Sequence, residues 1–199
     1  MASRLMAERG YAATSISALS SETGLPKSAI YHHFHSKGGL LSAVMERGLN
    51  EFFAAMSAAH ANPPEGGGHH DRLIWFLDRT GEVLAERQEF LRLHMLLLLS
   101  EEAAEAEITE TVEKVRRNGR AHMNFMVRES FRDEGAPIAQ AVADELEYFG
   151  VAGVDGAFLA AQADPARTLV PQNRMLAEAM VLLGEQVVAR LRSRRDGAS

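Results

Sequence analysis

Between Ser28 and Leu41 the chain reads SAIYHHFHSKGGLL, which sets His32, His33, His35 and Lys37 around Tyr31 and Phe34. Three chemistries suit such a set: metal ligation, proton transfer by titrating imidazoles, or contact with an anionic surface. Metal ligation from a helix wants ligands at i and i+4 with carboxylate or thiolate company. His32 and His33 point about 100° apart on a helix, and no acid lies nearby in sequence. The chain has no cysteine, so thiolate sites, thiol nucleophiles and disulfides are excluded. A second cluster, His69, His70 and Asp71, follows a glycine run and lacks a preorganised partner for catalysis. No enzyme activity, metal or cofactor is therefore expected. The favoured reading of the first stretch is a surface that grips an anion, with His33 as a phosphate donor and His32 as an exposed or secondary contact.

The elements that would carry these residues read as helix throughout. Ala, Leu, Glu, Arg and Met dominate and β-branched alternation is absent, so the expected fold class is all-α. Gly10-Tyr11 ends a short first helix, and Thr14 or Ser15 caps a second that runs to about Glu22. Thr23-Gly24-Leu25-Pro26 is a tight turn, and Pro26 suits the first turn of a short third helix ending near Phe34. Two short helices joined by a glycine-bearing turn make a helix-turn-helix. Ile16, Leu19, Leu25, Ile30 and Phe34 are its candidate core. Lys27, Ser28, Ala29, Tyr31 and His32 are left for the surface, where small side chains let the helix approach base edges and Lys27 can reach a phosphate or guanine. Tyr31, His33 and Lys37 supply phosphate donors, and the helix start at Thr14 and Ser15 offers free N–H groups.

Ser36 caps a fourth helix to about Ala61. NPPEGGGHHD, residues 62–71, is expected to be the most flexible stretch. Further helices are expected at about 71–87, 88–101, 104–134, 137–163 and 171–193, with Asp164-Pro165 breaking the last two and RLRSRRDGAS forming a frayed basic tail. The net charge of −6 is unevenly placed: residues 1–47 carry five basic and three acidic groups, for +2, leaving −8 for the remainder. One end is suited to an anion and the other is not. No apolar run reaches the roughly 18 residues of a membrane span, and the N-terminus lacks a signal-peptide core. A cytoplasmic setting is expected.

GYAATSISALSSETGLPKSAIYHHFHSKGGLLSAV resembles the N-terminal signature of TetR-family transcriptional regulators: Gly-Tyr, then Thr-Ser, then a Tyr-x-His-Phe-x-Ser-Lys run and Leu-Leu. The match covers Leu5 to about Arg47. The resemblance implies a helix-turn-helix DNA-binding domain over 1–47 and a helical effector-binding and dimerisation domain over 48–199. It implies phosphate contacts from Thr14, Tyr31, His33 and Lys37 and base contacts around Lys27, Ser28, Ala29 and Tyr31. Three departures stand out. The family has several more residues, often basic, before the position of Ser3, so an electrostatic arm is missing or was trimmed. Gly38-Gly39 replaces an acidic residue and weakens the first turn of the fourth helix. Thr23 replaces an alanine.

Beyond residue 47 the seventh helix sets Ile108, Val112, Val115, Gly119, His122 and Met126 on one line, with Met123 and Val127 beside it. His94 has the same character, with Phe90, Leu97 and Leu98 at helical spacing. These residues are core, or with Trp75, Phe76, Arg120, Phe125, Tyr148 and Phe149 they line a soft apolar pocket. The family places a cavity there, so the expected pocket comprises Trp75, Phe76, His94, Arg120, His122, Met123, Met126 and Phe149, for a largely apolar effector with a polar end. The ninth helix carries Leu176, Met180, Leu183 and Val187 on one stripe, and the eighth carries Gly153, Ala157 and Ala160. Together they suggest half of a two-fold dimer bundle. The expected function is a homodimeric, ligand-responsive DNA-binding regulator, a repressor on a palindromic double-stranded operator by the family's majority. The alternative is a helical small-molecule sensor whose DNA head is vestigial.

Overall fold

The computed structural model describes residues 2–100, 106–164, 166 and 168–196. The expected helix ends at 101 and 104, Pro165, and the last three residues of the tail lie outside them. The described residues form α1 (Ala2–Arg9), α2 (Ile16–Thr23), α3 (Lys27–Phe34), α4 (Lys37–Ala59), α5 (His69–Glu86), α6 (Gln88–Leu98), α7 (Ala106–Ser130), α8 (Ala136–Ala163) and α9 (Leu169–Asp196), with a 3-10 turn at Arg132–Glu134. No strand occurs among the described residues. The all-α expectation holds. The C-terminal tail does not fray at Arg190 as expected, because α9 runs on to Asp196.

Packing divides the chain into two compact units, Met1–Ala55 with Leu84–Arg117, and Met56–Val83 with Asn118–Ser199. The division is not a single cut, since α4, α5 and α7 each pass from one unit into the other. In the first unit α1 packs on α6 and α2 on α3. Leu5, Met6, Ile16, Leu19, Ile30, Leu41, Met45 and Leu49 are buried there. Leu25, expected in this core, is 52% exposed, because the turn that carries it loops outward before α3 begins.

In the second unit α8 packs along α9. Its core gathers Leu73, Phe76, Leu77, Met123, Met126, Val127, Phe131, Val142, Leu146, Met180 and Val187. The stretch 62–71, expected to be flexible, is tied down. Arg132 donates to the carbonyls of Pro64 (3.0 Å) and Glu65 (2.6 Å), and the buried Arg72 pairs with Asp133 at 2.5 Å. That pairing, chiefly the hydrogen bond, holds the Asp133 carboxyl below its usual range. α5 starts two residues earlier than expected, with the His69 ring stacked on Phe131 at 4.2 Å.

Phe131 is fully buried, and a methyl group on Gly184 would run into its ring. Gly184→Ala is therefore expected to destabilise the second unit by about 1–3 kcal/mol. In thermal denaturation this lowers Tm by roughly 3–10 °C. An unchanged or raised Tm, the result helix propensity alone would give, would show that the ring has room to move.

Candidate functional site

The turn into α3 is fixed by its own side chains. Ser15 caps α2, its hydroxyl oxygen accepting from the Ala18 N–H at 3.1 Å. At the other end Gly24 takes a left-handed conformation (φ +72) that glycine adopts without strain. The Ser20 hydroxyl donates to the Leu25 carbonyl at 2.6 Å and the Thr23 hydroxyl to Leu19 at 2.7 Å. Pro26, with φ −58, then delivers the chain into α3. α3 buries Ile30 and half-buries Phe34 and Ala29, while Lys27, Ser28, Tyr31, His32 and His33 are exposed. At about 100° per residue, Ser28 and His32 face away from Ile30 and Phe34, with Tyr31 and His33 on the flanks.

Two expected phosphate contacts are placed differently. Thr14 is fully buried, and its hydroxyl donates to the Gly10 carbonyl at 2.8 Å, closing the end of α1 rather than facing outward. Lys37 is half-buried, with its Nζ donating to the Ala12 carbonyl at 3.1 Å and lying 4.1 Å over the Tyr11 ring. It clamps the α1–α2 connection to the start of α4.

In the second unit Phe76, Met123 and Met126 are buried, and Trp75 and His122 are half-buried. Sequence reasoning missed the residue at their centre, His60. It is 3% exposed, its Nδ1 lies 2.7 Å from His122 Nε2, and the two rings stack with centroids 4.9 Å apart. His60 Nε2 lies 3.0 Å from the Phe76 carbonyl, which can only accept. The proton therefore sits on His60 Nε2, and His60 Nδ1 accepts from His122 Nε2–H. Burial, reinforced by His122 and Arg79, pushes the His60 pKa down to about 4, and burial lowers that of His122. The signal was present: His60, one residue past the end of α4, continues at helical spacing the apolar line of Leu49 and Met56.

The rest of the expected pocket is not gathered there. Arg120 lies 4.0 Å from Glu147 and is partly exposed, and Phe149 is 44% exposed. His94 belongs to the other compact unit. It is 2% exposed, stacks on Phe90 with centroids 6.5 Å apart, and neither ring nitrogen has a hydrogen-bond partner. Burial first, and the charge of Arg116 second, push its pKa down to about 4.

The expected dimer stripe also needs correction. Met180, Val187 and Ala157 are buried within the single chain, and Leu176 packs against Gly153, where a methyl group would meet its side chain at 2.5 Å. These residues are consumed by the packing of α8 on α9. The outward apolar surface is another set: Tyr148, Leu159, Met175 and Leu182, with Leu183 and the exposed Ala160 from the expected list.

The family model for bacterial regulatory proteins of the tetR family matches residues 1–44, the segment that holds α1, α2, α3 and the first turns of α4. Over that segment the chain is similar to the tetR family of bacterial regulatory proteins. The fold agrees over about nine-tenths of the chain with solved structures of low identity. A TetR-family transcriptional regulator from Agrobacterium tumefaciens superposes with a TM-score of 0.70 at 21% identity, covering 89% of this chain and 92% of that one. The transcriptional regulator FadR from Bacillus subtilis, in complex with stearoyl-CoA, gives 0.67 at 16%, covering 90% and 94%. A transcriptional regulator from Rhodococcus sp. Rha1 gives 0.66 at 18%, covering 93% of each chain. Among curated proteins none matches this chain by sequence. No helix among its described residues is long and apolar enough to cross a membrane.

Proposed function

We propose that this chain is a ligand-responsive transcriptional regulator of the cytoplasm, binding a two-fold-symmetric operator as a homodimer and acting as a repressor that a small molecule releases. Residues 1–47 form its DNA-binding head and 48–199 its effector-binding and dimerisation body. The observation that carries the reading is the surface of α3, which buries Ile30 and turns Lys27, Ser28, Tyr31, His32 and His33 to solvent. A short helix with that pattern suits the major groove, where Ser28 and His32 meet base edges and Tyr31 and His33 meet phosphates. Ser15, at the start of α2, adds a helix N-terminus for the backbone.

A single head of net +2 makes few phosphate contacts, so two copies on one face of the duplex are needed for specific binding. The exposed apolar residues of α8 and α9 supply a surface for the second copy, and Gly156, with open space beside it, permits close approach. The effector we propose is largely apolar. It would rest on the aromatic and thioether side chains around Trp75, Phe76, Met123 and Met126, with its polar end near His122. The Bacillus subtilis regulator FadR is in complex with stearoyl-CoA, a molecule with a long apolar chain and a polar end. Release follows when the effector binds better to a state whose heads have the wrong spacing.

Selection of bound duplexes from a random pool tests this directly. A palindrome is expected, with half-sites about one helical turn apart and affinity falling steeply with salt. Tyr31→Ala/His32→Ala is expected to weaken operator binding by roughly 10- to 1,000-fold while the fold is retained. Binding without sequence preference, or an unaffected double variant, would overturn the assignment of α3.

A further inference from the structure

The connection from α3 to α4 is tighter than its sequence suggests. His35 has φ +60 and ψ −36, a region that side chains other than glycine rarely adopt. The Ser36 N–H donates to the Phe34 carbonyl at 2.6 Å, closing a γ-turn of the rare, strained kind. Ser36 then caps α4, its hydroxyl oxygen accepting from the Gly39 N–H at 2.8 Å and its carbonyl from the Leu40 N–H at 3.1 Å. Leu40 and Leu41, next along α4, are buried in the core of the head.

The Phe34 carbonyl, at the very end of α3, faces the Cα of Gly39. A methyl group there would overlap that oxygen and crowd the Ser36 hydroxyl at 3.4 Å. The obstacle is backbone, so no rotamer relieves it. Only displacement of the end of α3 would make room. Gly39 is therefore no mere loss of helix stability, as the replaced acidic residue had suggested. Its missing side chain is what lets α3 seat on α4.

We infer that Gly39 is a positioning residue for DNA reading: the close contact between its Cα and the Phe34 carbonyl sets the pose of α3 relative to the first turn of α4. This rests on the DNA-reading role of α3 proposed above. α3 is eight residues long, its start fixed by the Gly24–Pro26 turn and its end by this contact. Base-edge hydrogen bonds tolerate only a few tenths of an ångström in length, so displacing the end of α3 removes direct readout. Phosphate contacts by flexible side chains can follow a displaced helix.

The test compares wild type, Gly39→Ala and His35→Gly on the selected operator and on a random-sequence duplex of equal length, each over a salt series, with Tm measured alongside. Gly39→Ala is expected to lose operator affinity by at least ~100-fold. Its affinity for the random duplex, and the salt slope, should stay as in wild type. His35→Gly relieves the strained φ and is expected to raise Tm by roughly 2–4 °C, with both affinities kept.

An operator affinity within twofold of wild type for Gly39→Ala overturns the inference, as does an equal loss on both duplexes, which marks general damage. A lowered Tm for His35→Gly also counts against the turn. If Gly39→Ala does not fold, His35→Gly/Gly39→Ala relaxes the turn around the added methyl and is expected to show the same split. A double variant that also fails to fold, or reads the operator normally, refutes the positioning role. A wild-type protein with no salt-dependent preference for any duplex shows instead that the regulator reading has failed, and this inference with it.

Discussion

Acidification from pH 7 to pH 4 is expected to strip this protein of most of its stability, and His94 is the residue whose replacement should relieve it. In the folded chain His60 and His94 each have pKa values pushed down to about 4, against an ordinary value of 6.5. The folded state therefore resists the proton that the unfolded state takes up first. The stability these groups contribute is fully present above pH 6.5 and is lost as pH falls toward 4. The loss approaches roughly 3 kcal/mol for each, against a total of about 5–15 kcal/mol for a typical domain. Paired carboxylates such as Asp133 titrate at lower pH, so the histidine window stands apart from theirs.

His94 is the cleaner probe. Both of its ring nitrogens are buried without partners, so His94→Leu is expected to raise stability at pH 7 by about 1–3 kcal/mol and to flatten the profile between pH 6.5 and 4.5. His60→Phe would instead leave the Phe76 carbonyl and His122 without a bond they now make. Chemical denaturation of wild type and His94→Leu across this range decides the matter. A flat wild-type profile, or the same slope in both proteins, would mean that water reaches these imidazoles.

The head was legible in the sequence because local chemistry builds it. Thr23-Gly24-Leu25-Pro26 encodes its own turn, Ser15 its own cap, and Ile30 and Phe34 the inner face of α3. What escaped depends on contacts distant in sequence or on backbone the pattern does not display. Thr14 carries a surface type of side chain, yet its hydroxyl meets the Gly10 carbonyl only because the end of α1 turns back there. His60 continues an apolar line of α4 just past its end, but its partner is 62 residues away, and no periodicity names it. His35 gives no sign of its positive φ. Gly39 reads as a weak helix residue until the Phe34 carbonyl is seen against it.

The ninth helix shows the same limit, and yields the other large effect. α9 is apolar around much of its circumference, so periodicity identified a stripe without saying which neighbour would cover it. Met180 and Leu182 lie about 200° apart on that helix. Met180 is fully buried against the chain's own core, whereas Leu182 is 62% exposed. Arginine at the two positions should therefore fail in different ways. Met180→Arg places an unpaired charge in the core and is expected to unfold the second unit, a loss above about 4 kcal/mol. Leu182→Arg leaves that core intact, so Tm at low protein concentration should match wild-type monomer. In the proposed homodimer the same charge lies in the subunit contact and is expected to weaken self-association by at least ~100-fold. Operator affinity then falls with it, by roughly 10²–10⁴-fold, because two linked half-site contacts become one. Sedimentation of both variants beside a duplex-binding assay separates these outcomes. A folded Leu182→Arg protein that remains dimeric would move the two-fold axis off this face of α9, while a folded Met180→Arg would contradict the packing of α9 on α8.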